Sequence, residues 1–421
     1  MTIFKKKVEL LRQTVRTMLT SRSAILLLLI VGVLGMPLIV PLTATWRPPA
    51  LFSTAKAATL DAVSSPKSNI YHKDVVSVEG ANITLNGRVI VPRGVEIAAF
   101  WVPSSSRTKG DIIRYDYFNN SHEQIFENAA DNWKASLIRF QVSENGLDPQ
   151  NPAYSKEYLD EINNAVSLAR QHGFIVMVCL RDQRPSGVRK MPTETTKRAL
   201  LTLTRLFNDD LGVIYETFNE PELWPRPENW ELWLNGGNYQ GSSEHYVGMQ
   251  ALVDEIRRTG SRNVIIVEGL WWGRSFLGAP DIRDPLNKLV YGVHPYYEKN
   301  FISKADWDKH FGYLVKQGKP VLATEWCALT GPPACTYPVP GKKTSEQLTD
   351  EAHLFLNYLE SYHIGMNAWA IDFHGTIVTD TDGAQPTTYD GFELGIDGGG
   401  PGIIVKNWFN HLSMSDNKSS K

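Results

Sequence analysis

Eight short apolar runs, most of them followed by a helical stretch, recur along this chain from Gly94 to Asp372. They are Gly94–Phe100, Leu137–Gln141, Phe174–Leu180, Gly212–Phe218, Val264–Glu268, Leu289–His294, Val321–Trp326 and Met366–Asp372. Short β-branched and aromatic runs read as buried strands, and their alternation with helices points to a parallel sheet. Eight such units over this length favour a closed barrel over an open sheet. The expected fold class is therefore α/β, a (β/α)8 TIM barrel. No glycine-rich phosphate loop follows the first run, which argues against dinucleotide binding.

The segments between the runs support this. Ser155 can cap a helix reaching His172, with Leu159, Ile162, Val166 and Ala169 on one face. Thr344 to Tyr362 repeats Leu348, Ala352, Phe355 and Leu359 at helical spacing. Leu270 to Lys288 holds Gly, Pro and Asp with little helical period, so the fifth helix is expected to be short or missing. Ahead of the barrel, Val75 to Val91 alternates around Asn86-Gly87, the signature of a β-hairpin.

Residues 1–70 read differently. Lys5, Lys6, Lys7, Arg12, Arg16 and Arg22 make residues 1–23 basic, and residues 24–40 form an uncharged apolar run. That run is about the minimum length for a membrane span. Its basic flank places residues 1–23 in the cytoplasm and the rest outside. An uncleaved anchor and a signal peptide both fit, with cleavage candidates at Ala44 and at Ala55-Lys56-Ala57. Residues 41–70, rich in Pro, Ala, Ser and Thr, read as a flexible linker. The globular part is expected to span 71–421, as a monomer outside the cytoplasm.

A formal net charge of -2 gives no reason to invoke nucleic acid. Among the three cysteines, Cys327 and Cys335 flank the turn-forming Gly331-Pro332-Pro333, and their spacing permits a local disulfide in an oxidising compartment. Cys179 ends an apolar strand and reads as a buried thiol. No Cys or His spacing suits a metal. Asp380-Thr-Asp-Gly383 lacks the full spacing of a calcium loop and reads as a turn. No cofactor or metal is expected.

The fourth run ends in Asn219-Glu220-Pro221 and the seventh delivers Glu325. Residues at the C-terminal tips of barrel strands face the mouth, where such folds carry their chemistry. Two facing carboxylates are the minimum equipment for cleaving a glycosidic bond, one as proton donor and one as nucleophile. Those roles require surroundings that push the two pKa values apart, raising the acid. Twelve Trp residues include Trp101, Trp224, Trp230, Trp233, Trp271 and Trp272, a set from which stacking platforms for sugar rings can be drawn.

Phe218-Asn-Glu-Pro221, Val293-His-Pro-Tyr-Tyr297 and Ala323-Thr-Glu-Trp326, in this order, resemble glycoside hydrolase family 5, the cellulase-like members of clan A. The resemblance covers about Asn86 to Leu412 and includes Leu85-Asn-Gly-Arg-Val-Ile-Val-Pro-Arg-Gly-Val95. It implies Glu220 as acid/base, Glu325 as nucleophile, and Asn219 as a partner of the sugar 2-hydroxyl. It further implies that Arg139 holds Glu325 ionised, that Tyr296 contacts the nucleophile, and that His294 tunes the acid/base. Trp369 would floor the reacting sugar, with Trp271 and Trp272 on the rim.

One position departs from the family. Its usual His after the third strand is replaced, in Val178-Cys-Leu-Arg-Asp182, by Arg181. Some mannan-acting relatives also lack that His. The expected activity is retaining endo-hydrolysis of a β-1,4-linked polysaccharide, glucan by resemblance. A β-mannanase, or another β-glycan hydrolase, is the alternative on the same scaffold. A non-catalytic carbohydrate-binding protein is the reading from a different class.

Overall fold

The computed structural model describes residues 74–98, 100, 122–182, 184, 189–239, 243–296, 301–327, 345–372, 376–378 and 402–419. Thirteen strands fall among them. β1 (Val76–Glu79), β2 (Asn82–Leu85) and β3 (Arg88–Ile90) form a small antiparallel sheet. β4 (Arg93–Ile97), β5 (Leu137–Ser143), β6 (Ile175–Arg181) and β7 (Val213–Glu216) follow. β8 (Gly236–Asn238) and β9 (His245–Val247) make a two-stranded ribbon. β10 (Ile265–Glu268), β11 (Leu289–Val293), β12 (Val321–Trp326) and β13 (Gly365–Ala368) complete the set. The order β10-β11-β12-β13-β4-β5-β6-β7 closes on itself, and all its pairings are parallel. This is the expected (β/α)8 barrel.

Strand periodicity divides the barrel into two cores. Leu137, Ile175, Ile214, Ile266, Val290 and Leu322 pack together inside its lower half. One step of two residues up the same strands, the inward positions become Arg139, Glu216 and Glu268, all fully buried. The outward positions, such as Ile138, Phe140, Val176 and Val178, pack into the large core shared with the helices. A strand buried on both faces thus carries apolar residues almost throughout and yields charge only near its tip.

The helices follow from their caps and stripes. Ser155 accepts from Tyr158 N at 3.2 Å and starts the helix Lys156–Gln171, which buries Leu159, Ile162, Val166 and Ala169. In the helix Ser345–Ser361, Ala352, Phe355 and Leu359 are buried; the Leu348 side chain is outside the described set. Residues 269–288, all described, contain no helix, so the fifth unit turns directly back to β11.

Two expectations need correction. The N-terminal hairpin supplies two strands of a three-stranded sheet: Asn86-Gly87 turns β2 into β3, and a second turn at Gly80-Ala81 joins β1 to β2. Gly80 sits at φ +55, the left-handed backbone that glycine adopts freely. This sheet plugs the bottom of the barrel. Val76 and Ile83 join the lower core, and Val76 N donates to Leu211 O at 3.0 Å. The second correction concerns length: the first, fourth, sixth and eighth strands end earlier than their apolar runs, at Ile97, Glu216, Val293 and Ala368.

β12 is irregular near its tip. Its register against β13 shifts between Ala323 and Trp326. Leu322 points inward, and Thr324 is also within reach of the interior at Gly292. By strict alternation Glu325 would face outward. The bulge turns it inward instead.

The basic, apolar and linker segments expected over 1–70 lie outside the described residues, as do Trp101, Cys335 and Asp380–Gly383. Among the described residues no helix is long and apolar enough to cross a membrane.

Candidate active site

Arg139, on the second barrel strand, stands at the centre of the mouth with no solvent exposure. Its Nε donates to Glu216 Oε2 at 2.7 Å. Nη1 donates to Glu96 Oε2 at 2.7 Å and to Glu325 Oε2 at 2.8 Å. Nη2 donates to Asn219 Oδ1 at 2.9 Å and meets Cys179 Sγ at 3.2 Å, with Glu268 Oε1 at 3.5 Å. A planar guanidinium is suited to such a fan of acceptors, because its donors point in fixed directions. The guanidinium therefore ties five barrel strands and the tip beyond β7 to one charge.

Glu325, placed by the bulge, accepts three hydrogen bonds. They come from Arg139 Nη1, from Gln141 Nε2 at 2.8 Å and from Tyr296 Oη at 2.7 Å. Burial and the charge of Glu325 push the Tyr296 phenol well above its ordinary pKa, so it remains a donor. Asn219 Oδ1 also accepts from Gln141 Nε2, at 3.0 Å. With Oδ1 held by two donors, the amide orientation is fixed and its NH2 is left to donate elsewhere.

Glu220 follows at φ +60, in the left-handed region that a non-glycine residue enters only when held there. Its backbone N–H donates to Glu268 Oε2 at 2.8 Å. Its Oε1 lies 3.1 Å from His294 Nδ1. The imidazole is fully buried, and its Nε2 lies 3.0 Å from Glu268 Oε1, an ion pair too bent for a straight hydrogen bond. One oxygen each of Glu220 and Glu325 and one nitrogen of His294 all fall within 4.8 Å of one another.

The electrostatics reverse one expectation. An acid at Glu220 called for a raised pKa, yet in the ligand-free site it is lowered. Burial pushes upward, but the hydrogen bond and charge of His294, then the charges of Arg274 and Arg181, outweigh it. His294 is correspondingly raised well above the usual imidazole value: burial opposes this, and the carboxylates of Glu268 and Glu325 and the bond to Glu220 overcome it. Burial, against the pull of His294 and helped by nearby Glu216, pushes Glu268 up to about 8. Glu96 is raised by burial, while Arg139 more than offsets burial at Glu216 and holds it low. The proton next to Glu220 thus rests on His294 until something alters the balance.

The rim is aromatic on one side. Trp271, Trp272 and Gly273 are three consecutive left-handed residues, at φ 63, 55 and 74. Trp271 N donates to Leu223 O at 2.7 Å and Trp272 N to Pro221 O at 2.9 Å, clasping the loop that carries Glu220. Trp224, 43% exposed, stacks on Trp271 at 5.3 Å and meets Trp272 edge-on at 6.2 Å. Trp230 and Trp233 are instead core residues, packed against each other and Phe276, with Trp233 Nε1 donating to Glu268 O at 2.8 Å. Trp369 is 8% exposed beyond β13, and its peptide bond to Ala370 is cis. Cys327 is disulfide-bonded and Cys179 is a buried free thiol.

Besides the Glu220–His294–Glu325 group, Cys179, Glu216 and Glu268 have possible ligand atoms within 4.8 Å of one another. Arg139 touches all three of the latter, so a positive charge already occupies that cluster. Sequence reading missed Glu96, Gln141, Glu216 and Glu268. Each shares the inward parity of Arg139, and a polar or charged residue inside an otherwise apolar strand was the signal.

Residues 98–375 match the family model described as cellulase (glycosyl hydrolase family 5). No curated protein sequence matches the chain. A β-glucanase from Saccharophagus degradans, solved with cellotetraose, is 19% identical with a TM-score of 0.58, over 81% of this chain and 94% of that one. A hyperthermophilic endocellulase from Pyrococcus horikoshii is 16% identical with a TM-score of 0.55, over 80% and 98%. A mannanase catalytic domain from Streptomyces sp. SirexAA-E is 16% identical with a TM-score of 0.50, over 77% and 91%. At these identities the solved structures speak for the fold, while the family model covers most of the chain and its barrel: this protein belongs to glycosyl hydrolase family 5 and is a glycoside hydrolase.

Proposed function

We propose that the protein hydrolyses a β-1,4-linked polysaccharide internally, with retention, and that the substrate is a glucan. The observation that carries the mechanism is the spacing of the carboxylates: oxygens of Glu220 and Glu325 come within 4.8 Å. Retaining glycosidases hold their carboxyl groups at about 5–5.5 Å, and inverting ones at about 6.5–9.5 Å to admit a water. Glu325, held by three donors, is the nucleophile. Glu220, the more exposed of the two at 31% against 9%, is the acid/base that reaches the leaving group and later a water. Asn219 offers its NH2 to the sugar 2-hydroxyl, Tyr296 and Arg139 hold the nucleophile in line, and Trp369 lies beneath the reacting ring. Trp224 and Trp272 extend the surface along the chain of sugars.

Glucan is favoured because two of the three solved relatives described above are a β-glucanase and an endocellulase. A mannan substrate is the second reading. It rests on Arg181 at the end of β6, in place of the His that the family resemblance implies and that some mannan-acting members lack, and on the mannanase among the structural relatives. Export across a membrane, by an anchor or a cleaved signal, belongs to the same proposal.

A soluble fragment from Tyr71, which keeps the whole three-stranded plug, assayed on β-glucans, mannans and xylans tests the substrate. Inactivity on all of them would favour the binding-protein reading. Product followed by NMR from the first turnover should appear as the β-anomer; an α-anomer would overturn double displacement.

A further inference from the structure

We propose that Glu268 is a positioning residue for proton transfer, holding the His294 imidazole and the Glu220 backbone in the arrangement that lets His294 supply and recover the proton of Glu220. The inference rests on the hydrolase reading above and adds to it a residue on the fifth strand.

Three contacts carry it. Glu268 uses both oxygens in two directions: Oε1 toward His294 Nε2 at 3.0 Å, and Oε2 toward Glu220 N at 2.8 Å. His294 then meets the side chain of the same Glu220 at 3.1 Å through Nδ1. The result is a closed ring of acid, base and backbone around one fully buried imidazole. Gly273 forms its lid: a Cβ there would lie 2.8 Å from Glu268 Oε2 and 3.1 Å from His294 Cγ. His294 N also donates to Gly273 O at 3.0 Å, which fixes the height of the ring.

The charge of His294 is felt at Glu96 and Glu216 as well as at its direct neighbours. His294 is faced by Glu220, Glu268 and, at 3.9 Å, Glu325, with Tyr296 beside it. Glu268 is faced by Arg139, Glu216 and Cys179. Glu220 also feels Arg274 and Arg181. With a carboxyl oxygen 3.1 Å from one ring nitrogen and 3.0 Å from the other, the imidazole is placed to keep both its protons.

The transfer balances simply. The Nδ1–H bond breaks as the Glu220 Oε1–H bond forms, and the imidazole becomes neutral, keeping its Nε2–H beside Glu268 Oε1. Glu220 then passes its proton to the glycosidic oxygen. When Glu220 later takes a proton from the attacking water, Nδ1 accepts it back and the cation is restored.

Glu268→Gln keeps size and an acceptor oxygen and removes the titratable carboxyl group. It is assayed on phenyl and 2,4-dinitrophenyl β-glycosides of whichever disaccharide, cellobiose or mannobiose, the wild type cleaves. The expected result is a loss of roughly 10–100-fold in kcat/KM on the phenyl glycoside, part of the ~10²–10⁴ that general acid–base catalysis supplies. The dinitrophenyl glycoside, whose leaving group needs no proton, should be spared, and Glu268→Asp should recover part of the loss. Equal losses on both glycosides would mean a merely structural role and would overturn the proposal. Independently, in ¹⁵N-histidine-labelled, ligand-free wild type, both ring nitrogens of His294 should carry protons at pH 7. A bare nitrogen there would overturn it even if the variant failed to fold. In Glu268→Gln the imidazole should titrate at a lower pH, and an unchanged titration would refute the pairing. Wild-type inactivity on every glycan would fall on the hydrolase reading alone, and the His294 titration would still decide the role of Glu268.

Discussion

At the residue scale, the site is one cation shared among carboxylates. Arg139 contacts Glu96, Glu216 and Glu325 at 2.7, 2.7 and 2.8 Å. Removing one member of a buried ion pair leaves the rest uncompensated, at about 3–5 kcal/mol. Arg139→Ala is therefore expected to lower the denaturation midpoint by that equivalent as well as abolish activity, and chemical denaturation of the variant measures it. The two proposed catalytic groups separate by product. Glu325→Gly with azide should return an α-glycosyl azide from an activated substrate, whereas Glu220→Gly with azide should return the β-azide. Exchange of the two outcomes would exchange the roles. Glu220→Gly alone should lose ~10²–10⁴-fold on an unactivated substrate. The carboxylates Glu220 and Glu325 were legible as candidates because each lies at or just beyond the tip of an apolar run, within a longer motif. Glu96, Glu216 and Glu268 were not, because a lone charge near a strand end looks the same whether it faces solvent or a buried guanidinium. Only the barrel register, which pairs Glu96 with Arg139 and Cys179 with Glu216, decides.

At the element scale, strand identity was written in the apolar runs and strand ends were not. All eight runs form barrel strands, yet β7 stops at Glu216 while its run continues to Phe218. Beyond it Thr217 N still donates to Ile266 O at 3.0 Å and Asn219 N to Leu180 O at 2.8 Å, so the chain leaves the ladder by degrees. The plug was half legible for a related reason: Asn86-Gly87 is a strong turn signal and Gly80-Ala81 a weak one. The short fifth connection could be foreseen from its Gly, Pro and Asp, though its clasp on the Glu220 loop could not, since that depends on contacts between distant loops. Trp224, stacked on Trp271 and open to solvent, gives this element its own prediction. Trp224→Ala should raise KM for a long oligosaccharide by about 2–10-fold, the equivalent of 0.5–1.5 kcal/mol for an aromatic contact. kcat on a short aryl glycoside should not move. Initial-rate kinetics on the two substrates distinguish a sugar platform from loop packing, which would depress both.

At the scale of the whole molecule, the ionisable groups in the mouth set a stability that fails on both sides of a middle range. Glu268 and His294 are raised above their unfolded values. Their contribution is complete at acid pH, begins to fall as pH climbs past about 4.5 for Glu268 and 6.5 for His294, and is gone once the folded values are passed, about 8 for Glu268. Glu216 and Glu220 are lowered, and their contribution is lost as pH falls below the ordinary carboxylate range. Thermal melting should therefore peak between these limits, and Glu268→Gln should flatten the alkaline decline. A wild-type melting temperature that kept rising through pH 8 to 9 would contradict this picture. The family was legible at this scale from three ordered motifs; the direction of the Glu220 shift was not, because it follows from His294 and two arginines that only the folded chain brings near.

The irregularity in β12 has a consequence for anyone who would redraw this barrel. A backbone idealised to perfect pleating would keep every strand, every pairing partner and both apolar cores, and a stability screen would pass it. It would also swing Glu325 out among the helices, into a layer built for hydrocarbon, and leave Arg139, Gln141 and Tyr296 aimed at an empty corner. Architecture and reactivity in this chain part company over a single step of backbone phase, so a blueprint that smooths the strand would inherit the shape of the catalyst and none of its chemistry.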